Sequence, residues 1–183
     1  MAAAITGSFY LTETVIIPAA SADGTRIQGS IDLGAYVNVP TGQALAIESV
    51  DLVWQNGSNY DGNVEGMLAT NGALSMQITD LNPATVFLRA DDASLVASGS
   101  LNIDVTNNVA SHNSDLYPDN FGPAAHSESF MVVNDRLYLV AGNDGALIST
   151  ASVNCTARIR CRVVKLSTKD WMAIAIQSTA SDN

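Results

Sequence analysis

Val153–Leu166 reads VNCTARIRCRVVKL. Val153, Cys155, Ala157, Ile159, Cys161 and Val163 are apolar, and Arg158, Arg160 and Arg162 fall between them. A period of two is the period of a β-strand, so the stretch predicts one long strand with a buried face and an arginine-bearing face. Alternate side chains on a strand stand about 6–7 Å apart, which sets the three guanidinium groups in a row. Five of the eight cations (Arg158, Arg160, Arg162, Lys165 and Lys169) lie between residues 154 and 169, where there is no acid. That segment carries +5 and the remainder of the chain −15.

Working outward, the same period recurs. In Ser8–Ile17, Phe9, Leu11, Val15 and Ile17 share one side, with Glu13 interrupting. Arg26–Val39 gives the cleanest alternation in the chain: Ile27, Ile31, Leu33, Ala35, Val37 and Val39 face one way. Pro40-Thr41-Gly42 turns the chain, and Ala44–Trp54 returns. Its phase changes near Ser49, as a β-bulge would cause, or a strand buried on both faces at one end. Further strands are expected in Met67–Thr79, Thr85–Ala90, Leu95–Thr106, Phe130–Val133 and Arg136–Ala141. Asn143-Asp144-Gly145 is a tight-turn signal, and the next strand is expected to run from Ala146 into the arginine stretch. Thr106–Glu128 has no periodicity and reads as a long loop. Ser167 with Asp170 fits a helix-start box, so Trp171–Gln177 is expected to be a short helix, although Met172, Ile174 and Ile176 also alternate. Eight to ten strands, turn signals between them and at most one helix predict an all-β, antiparallel jelly-roll sandwich or barrel. We expect one domain, 1–183, with frayed ends at 1–7 and 178–183.

Composition narrows the role. The 183 residues are 47% hydrophobic and 14% charged, against a usual charged share of about 25%. So lightly charged a surface suits protein–protein contact, because few ions must be desolvated on association. A net charge of −10 argues against a general nucleic-acid binder. No apolar run approaches the roughly 18 residues of a membrane span, and the start, MAAAITGSFY, lacks the charged n-region of a signal peptide. Cys155 and Cys161 in one straight strand lie about 20 Å apart, beyond the roughly 7 Å a disulfide spans. They are expected to be buried free thiols.

Chemical motifs are sparse. GxSxG, HExxH, P-loop and Gly-rich nucleotide patterns are missing from the sequence, so neither an enzyme nor a cofactor is expected. His112 near Asp115, and His126 near Glu128, could be drawn into a metal site with Asp119, but without recognised ligand spacing; solvated loop residues are the competing reading. Asn59, Asp61, Asn63 and Glu65 alternate as calcium ligands do, yet Val64 stands where a calcium loop needs glycine. Asn56-Gly57-Ser58 and Asn154-Cys155-Thr156 match the glycosylation pattern, the second within an expected strand. The arginine row leaves three readings open: pairing with acids of the same sheet such as Asp32 or Asp51, docking on the acidic surface of a neighbouring copy, or contact with nucleic acid or anionic lipid.

RIQGSIDLGAYVNVPTGQALAIESVDLVW (Arg26–Trp54) and ARIRCRVVKLSTKDWM (Ala157–Met172) resemble, in pattern, the single-jelly-roll capsid proteins of tailless icosahedral viruses. That resemblance implies a self-assembling shell subunit in the virion, made in the host cytoplasm. Its partners would be copies of itself and other capsid proteins, with no cofactor and no active site. Arg158, Arg160, Arg162 and Lys165 are the expected subunit contact. A second function class is a carbohydrate-binding, lectin-like jelly roll, in which Tyr60, Tyr117 and Phe121, with Trp54, would stack on a sugar.

Overall fold

A computed structural model describes residues 3–57, 63–113 and 130–179. Among these residues, ten strands and one α-helix run in the order β1 (Ala3–Ala4), β2 (Phe9–Ile17), β3 (Arg26–Asp32), β4 (Gln43–Asn56), β5 (Gly72–Thr79), β6 (Leu95–Asp104), β7 (Val109–Asn113), β8 (Phe130–Val132), β9 (Arg136–Asp144), β10 (Val153–Lys165) and α1 (Thr168–Thr179). One sheet has the order β2-β10-β4-β8, with β1 beside the far end of β10 in line with β2; the other has the order β3-β9-β5-β6-β7. Every pairing is antiparallel.

The pairing runs inward from the ends of the chain. β2 pairs with β10, β3 with β9, β4 with β8 and β5 with β6. A chain folded back on itself in this way, then rolled so that successive partners fall in opposite sheets, is a jelly roll. The expected all-β fold class is therefore the observed one. Its core lies between the sheets. Val153, Cys155, Ala157, Ile159, Cys161 and Val163 of β10 face it, together with Val50 and Trp54 of β4, Leu74, Met76 and Ile78 of β5, and Leu137 and Leu139 of β9.

A second, smaller core lies outside the first sheet. There α1 lays Trp171, Ile174 and Ala175 over Ala44, Ala46, Val133, Val164 and Leu166. Consequently four consecutive residues of β4, Ala44–Ile47, are fully buried, two on each face. The phase change expected near Ser49 has both of the causes considered for it. β4 is covered on both faces at this end, and its register against β10 also shifts, Arg160 opposing Ser49 and Cys161 opposing Ile47, which leaves Glu48 as the extra residue.

Several expected strands end differently. The alternation of Arg26–Val39 continues as strand only to Asp32. The Asp32 carboxylate accepts the Gly34 N–H (2.8 Å), and the Tyr36 and Val37 N–H groups turn back to the Leu33 carbonyl. Leu33 and Val37 are thus buried four residues apart on a turn, while Val39 is exposed. Thr85–Ala90 is not a strand. Ala84 and Thr85 take left-handed φ values (51° and 63°), and the backbone N–H and C=O of Leu88 are both satisfied by the side-chain amide of Gln77 (2.7 and 2.8 Å). A side chain there occupies the place of a strand partner. The expected loop Thr106–Glu128 contains β7. The chain does turn at Gly145 (φ 81°), but the strand that follows begins at Val153, not Ala146. It lies in the opposite sheet from β9, so the turn closes no hairpin.

Close backbone approach fixes β9 against β3. A Cβ on Gly142 would lie 2.5 Å from the Thr25 carbonyl oxygen and 2.5 Å from Cδ of Arg26. Only glycine fits beside a backbone atom at that distance. Arg26 is held there by Asp144 (2.5 Å) and the Asn143 carbonyl (2.9 Å), with its guanidinium 4.3 Å over the Phe87 ring.

Candidate functional site

The outer face of the first sheet divides in two. One end is covered by α1. The other presents the outward residues of β2, β10 and β4. Tyr10, Thr12, Thr14 and Ile16 come from β2, Thr156, Arg158 and Arg160 from β10, and Ser49 and Asp51 from β4. Tyr10 is 54% exposed and Ile16 53%. The Thr14 and Thr156 hydroxyls join across the strands (2.9 Å). The inward half of β10 is fully buried, so its arginines can only point outward.

The structure treats the arginines unequally. Glu48, the bulged residue, aims its carboxylate onto the arginine face. It lies 3.1 Å from Nε of Arg160 and 2.9 Å from a terminal nitrogen of Arg162, and accepts the Ser8 hydroxyl (2.8 Å). Glu48 and Arg162 are largely shielded by their surroundings, each side chain 16% exposed, whereas Arg160 is half exposed. Arg158 stands opposite Asp51 in register, and its guanidinium lies 5.1 Å over the Tyr10 ring. Lys165 is exposed at the end of β10, on the rim of a groove of about 840 Å³ between α1 and the 3-10 turn Val39–Thr41. Same-sheet pairing thus accounts for Arg160 and Arg162, through an acid the sequence reading did not single out. Its signal was the phase change beside it. Asp32 is in the other sheet, opposite Arg136.

Tyr60, Tyr117 and Phe121 lie outside the described residues, as do Asn59, Asp61, Asp115, Asp119, His126 and Glu128. Trp54 is 8% exposed, faces the core and packs edge-on against His112 of β7 (5.2 Å). Asn63 and Glu65 begin the 3-10 turn Val64–Met67, which buries Met67. Among the described residues, no three His, Cys, Asp or Glu side chains meet as a metal-binding group. Cys155 and Cys161 are free and buried, and burial pushes both thiols up to about 12. Among the described residues, no helix is long and apolar enough to cross a membrane.

No protein-family profile and no curated protein matches the chain. Similar solved structures include turnip yellow mosaic virus at 100 K, with 8% identity and a TM-score of 0.27 over 88% of this chain and 98% of that one. Desmodium yellow mottle tymovirus follows with 8% identity and a TM-score of 0.28, over 88% of this chain and 91% of that one. The jelly roll rests on the strand pairing described above.

Proposed function

We propose that this chain is a structural subunit that assembles with copies of itself into a shell, as a viral capsid protein does, and that the open part of the β10 face is a contact between copies. The observation that carries the reading is that Arg158, stacked on Tyr10, and half-exposed Arg160 share one outward sheet face with exposed Tyr10 and Ile16, in a chain that is otherwise acidic. Arg158 stacked on Tyr10 offers a preorganised cation and an aromatic surface together, a combination enriched where proteins dock. The acidic remainder of a second copy supplies the complementary charge, which fixes register and speeds encounter. Jelly rolls serve as capsid and lectin domains alike, so the fold by itself does not choose. The lectin alternative loses Trp54, which faces the core.

Light scattering after size exclusion, with electron microscopy of the same fractions, tests the reading. The expected result is a multi-copy particle whose formation weakens with salt and is lost in Arg158→Glu, while the variant keeps the unfolding midpoint of the parent. Arg160→Glu should weaken assembly less cleanly, because it also places a second acid beside Glu48. A strict monomer at high protein concentration across a range of salt would overturn the proposal.

A further inference from the structure

Asp80 follows the last residue of β5 and is 2% exposed. One carboxylate oxygen is buried without a hydrogen-bond partner. The other is reached by the Asn134 side-chain amide at 3.3 Å, and that same amide donates to the Asp80 carbonyl at 3.0 Å. Asn134 belongs to the turn between β8 and β9, so one aspartate joins that turn to the loop between β5 and β6. The loop is itself folded around a second acid, Asp92, which accepts the Ser94 N–H and hydroxyl (2.9 and 2.7 Å); the Asp80 N–H in turn donates to the Ser94 carbonyl (3.0 Å). The charge facing Asp80 is that of Asp92. Asn134 and Ser94 are neutral, while Asp135 and Arg136, next along the turn, are exposed. Burial, an unsatisfied oxygen and a like charge nearby all favour the neutral form of a carboxyl.

We propose that Asp80 is a proton-operated latch: protonated, it holds the β5–β6 loop against the β8–β9 turn, and ionised, it loosens both. Burial chiefly, with the Asp92 charge as a lesser cause, raises Asp80 from an ordinary 3.8 to about 7, against the opposing effect of its backbone and Asn134 hydrogen bonds. A carboxyl raised on folding binds its proton more tightly in the native state. Its contribution is therefore most favourable below about pH 4, declines as pH rises to about 7, and is flat above that.

The test is thermal unfolding of the full chain between about pH 5 and pH 8.5, with Asp80→Asn beside the parent. The parent midpoint should fall by about 5 °C or more on this account. Asp80→Asn should flatten that fall and exceed the parent at the alkaline end, and the Asp80 and Leu95 amides of the parent should lose exchange protection as pH rises. An unchanged slope in Asp80→Asn, or a carboxyl carbon signal of Asp80 titrating in the ordinary range, would overturn the proposal. Should Asp80→Asn fail to fold, the carboxyl carbon titration of Asp80 in the parent decides: a midpoint well above the ordinary carboxylate range supports the latch, and one within that range refutes it.

Discussion

Glu48 reaches Arg160 and Arg162 because the chain gains one residue on β4 at that point. A one-residue shift reverses the face of every side chain beyond it, so the bulge sends Glu48 outward while Ile47 and Val50 both stay in the core. The two ion pairs differ in worth. Arg162 is shielded, and its Nε is already buried without a partner. Glu48→Ala removes the carboxylate that answers its charge, and should cost about 1–3 kcal/mol in urea unfolding. Arg160→Ala breaks a half-exposed pair and should cost less than about 1 kcal/mol. Equal losses would contradict the difference in shielding. The row of arginines was legible in the sequence as a strict alternation. Its acid was not, because nothing local states which residue of a neighbouring strand will be the extra one.

At the scale of elements, the C-terminal helix decides more than its length suggests. Ser167 accepts the Asp170 N–H (3.2 Å) and donates to its carboxylate (2.8 Å), a reciprocal cap that was legible from the spacing of the two residues. Ser167→Ala should destabilise the protein by about 1 kcal/mol with a loss of helical circular dichroism, and Ser167→Asp should restore most of it. An unchanged signal in Ser167→Ala would mean that packing alone starts the helix. The segment WMAIAIQ satisfies both the helical and the strand period, so hydropathy did not choose between them. The contact of Trp171, Ile174 and Ala175 with the outside of β4 and β10 did. The same contact accounts for Ala44 and Ala46, small residues that let a helix lie close on a sheet. Conversely, Arg26–Val39 had the regular alternation of a strand, and an Asp32 side chain competing for backbone N–H groups ended it.

Across the whole molecule, the larger of the two cores is one layer between the sheets, and β10 lines it along its length. Cys155 and Cys161 sit on that inner face, fully buried, with burial pushing both thiols up to about 12. Their reactivity therefore reports the opening of the sandwich as a unit. A thiol reagent at about pH 8 should label neither cysteine in the native protein and both in denaturant. Rapid labelling under native conditions would show that β10 is not the innermost strand. The absence of a disulfide between them was legible, since six residues of extended chain hold the sulfurs apart.

By itself the sequence determined which segments alternate, which side of each is oily, where α1 starts and how unevenly charge is distributed. These are properties of neighbours along the chain, governed by the two-residue period of an extended backbone and by local hydrogen bonds. Only the tertiary structure decided that β2 joins β10, that Glu48 rather than Asp32 answers the arginines, that β4 is buried on both faces, and that Asp80 is sealed beneath the β8–β9 turn. Each of these depends on contacts between distant residues, as in the Thr14–Thr156 bond across 142 positions, and burial summed over two sheets sets those contacts where no local pattern can.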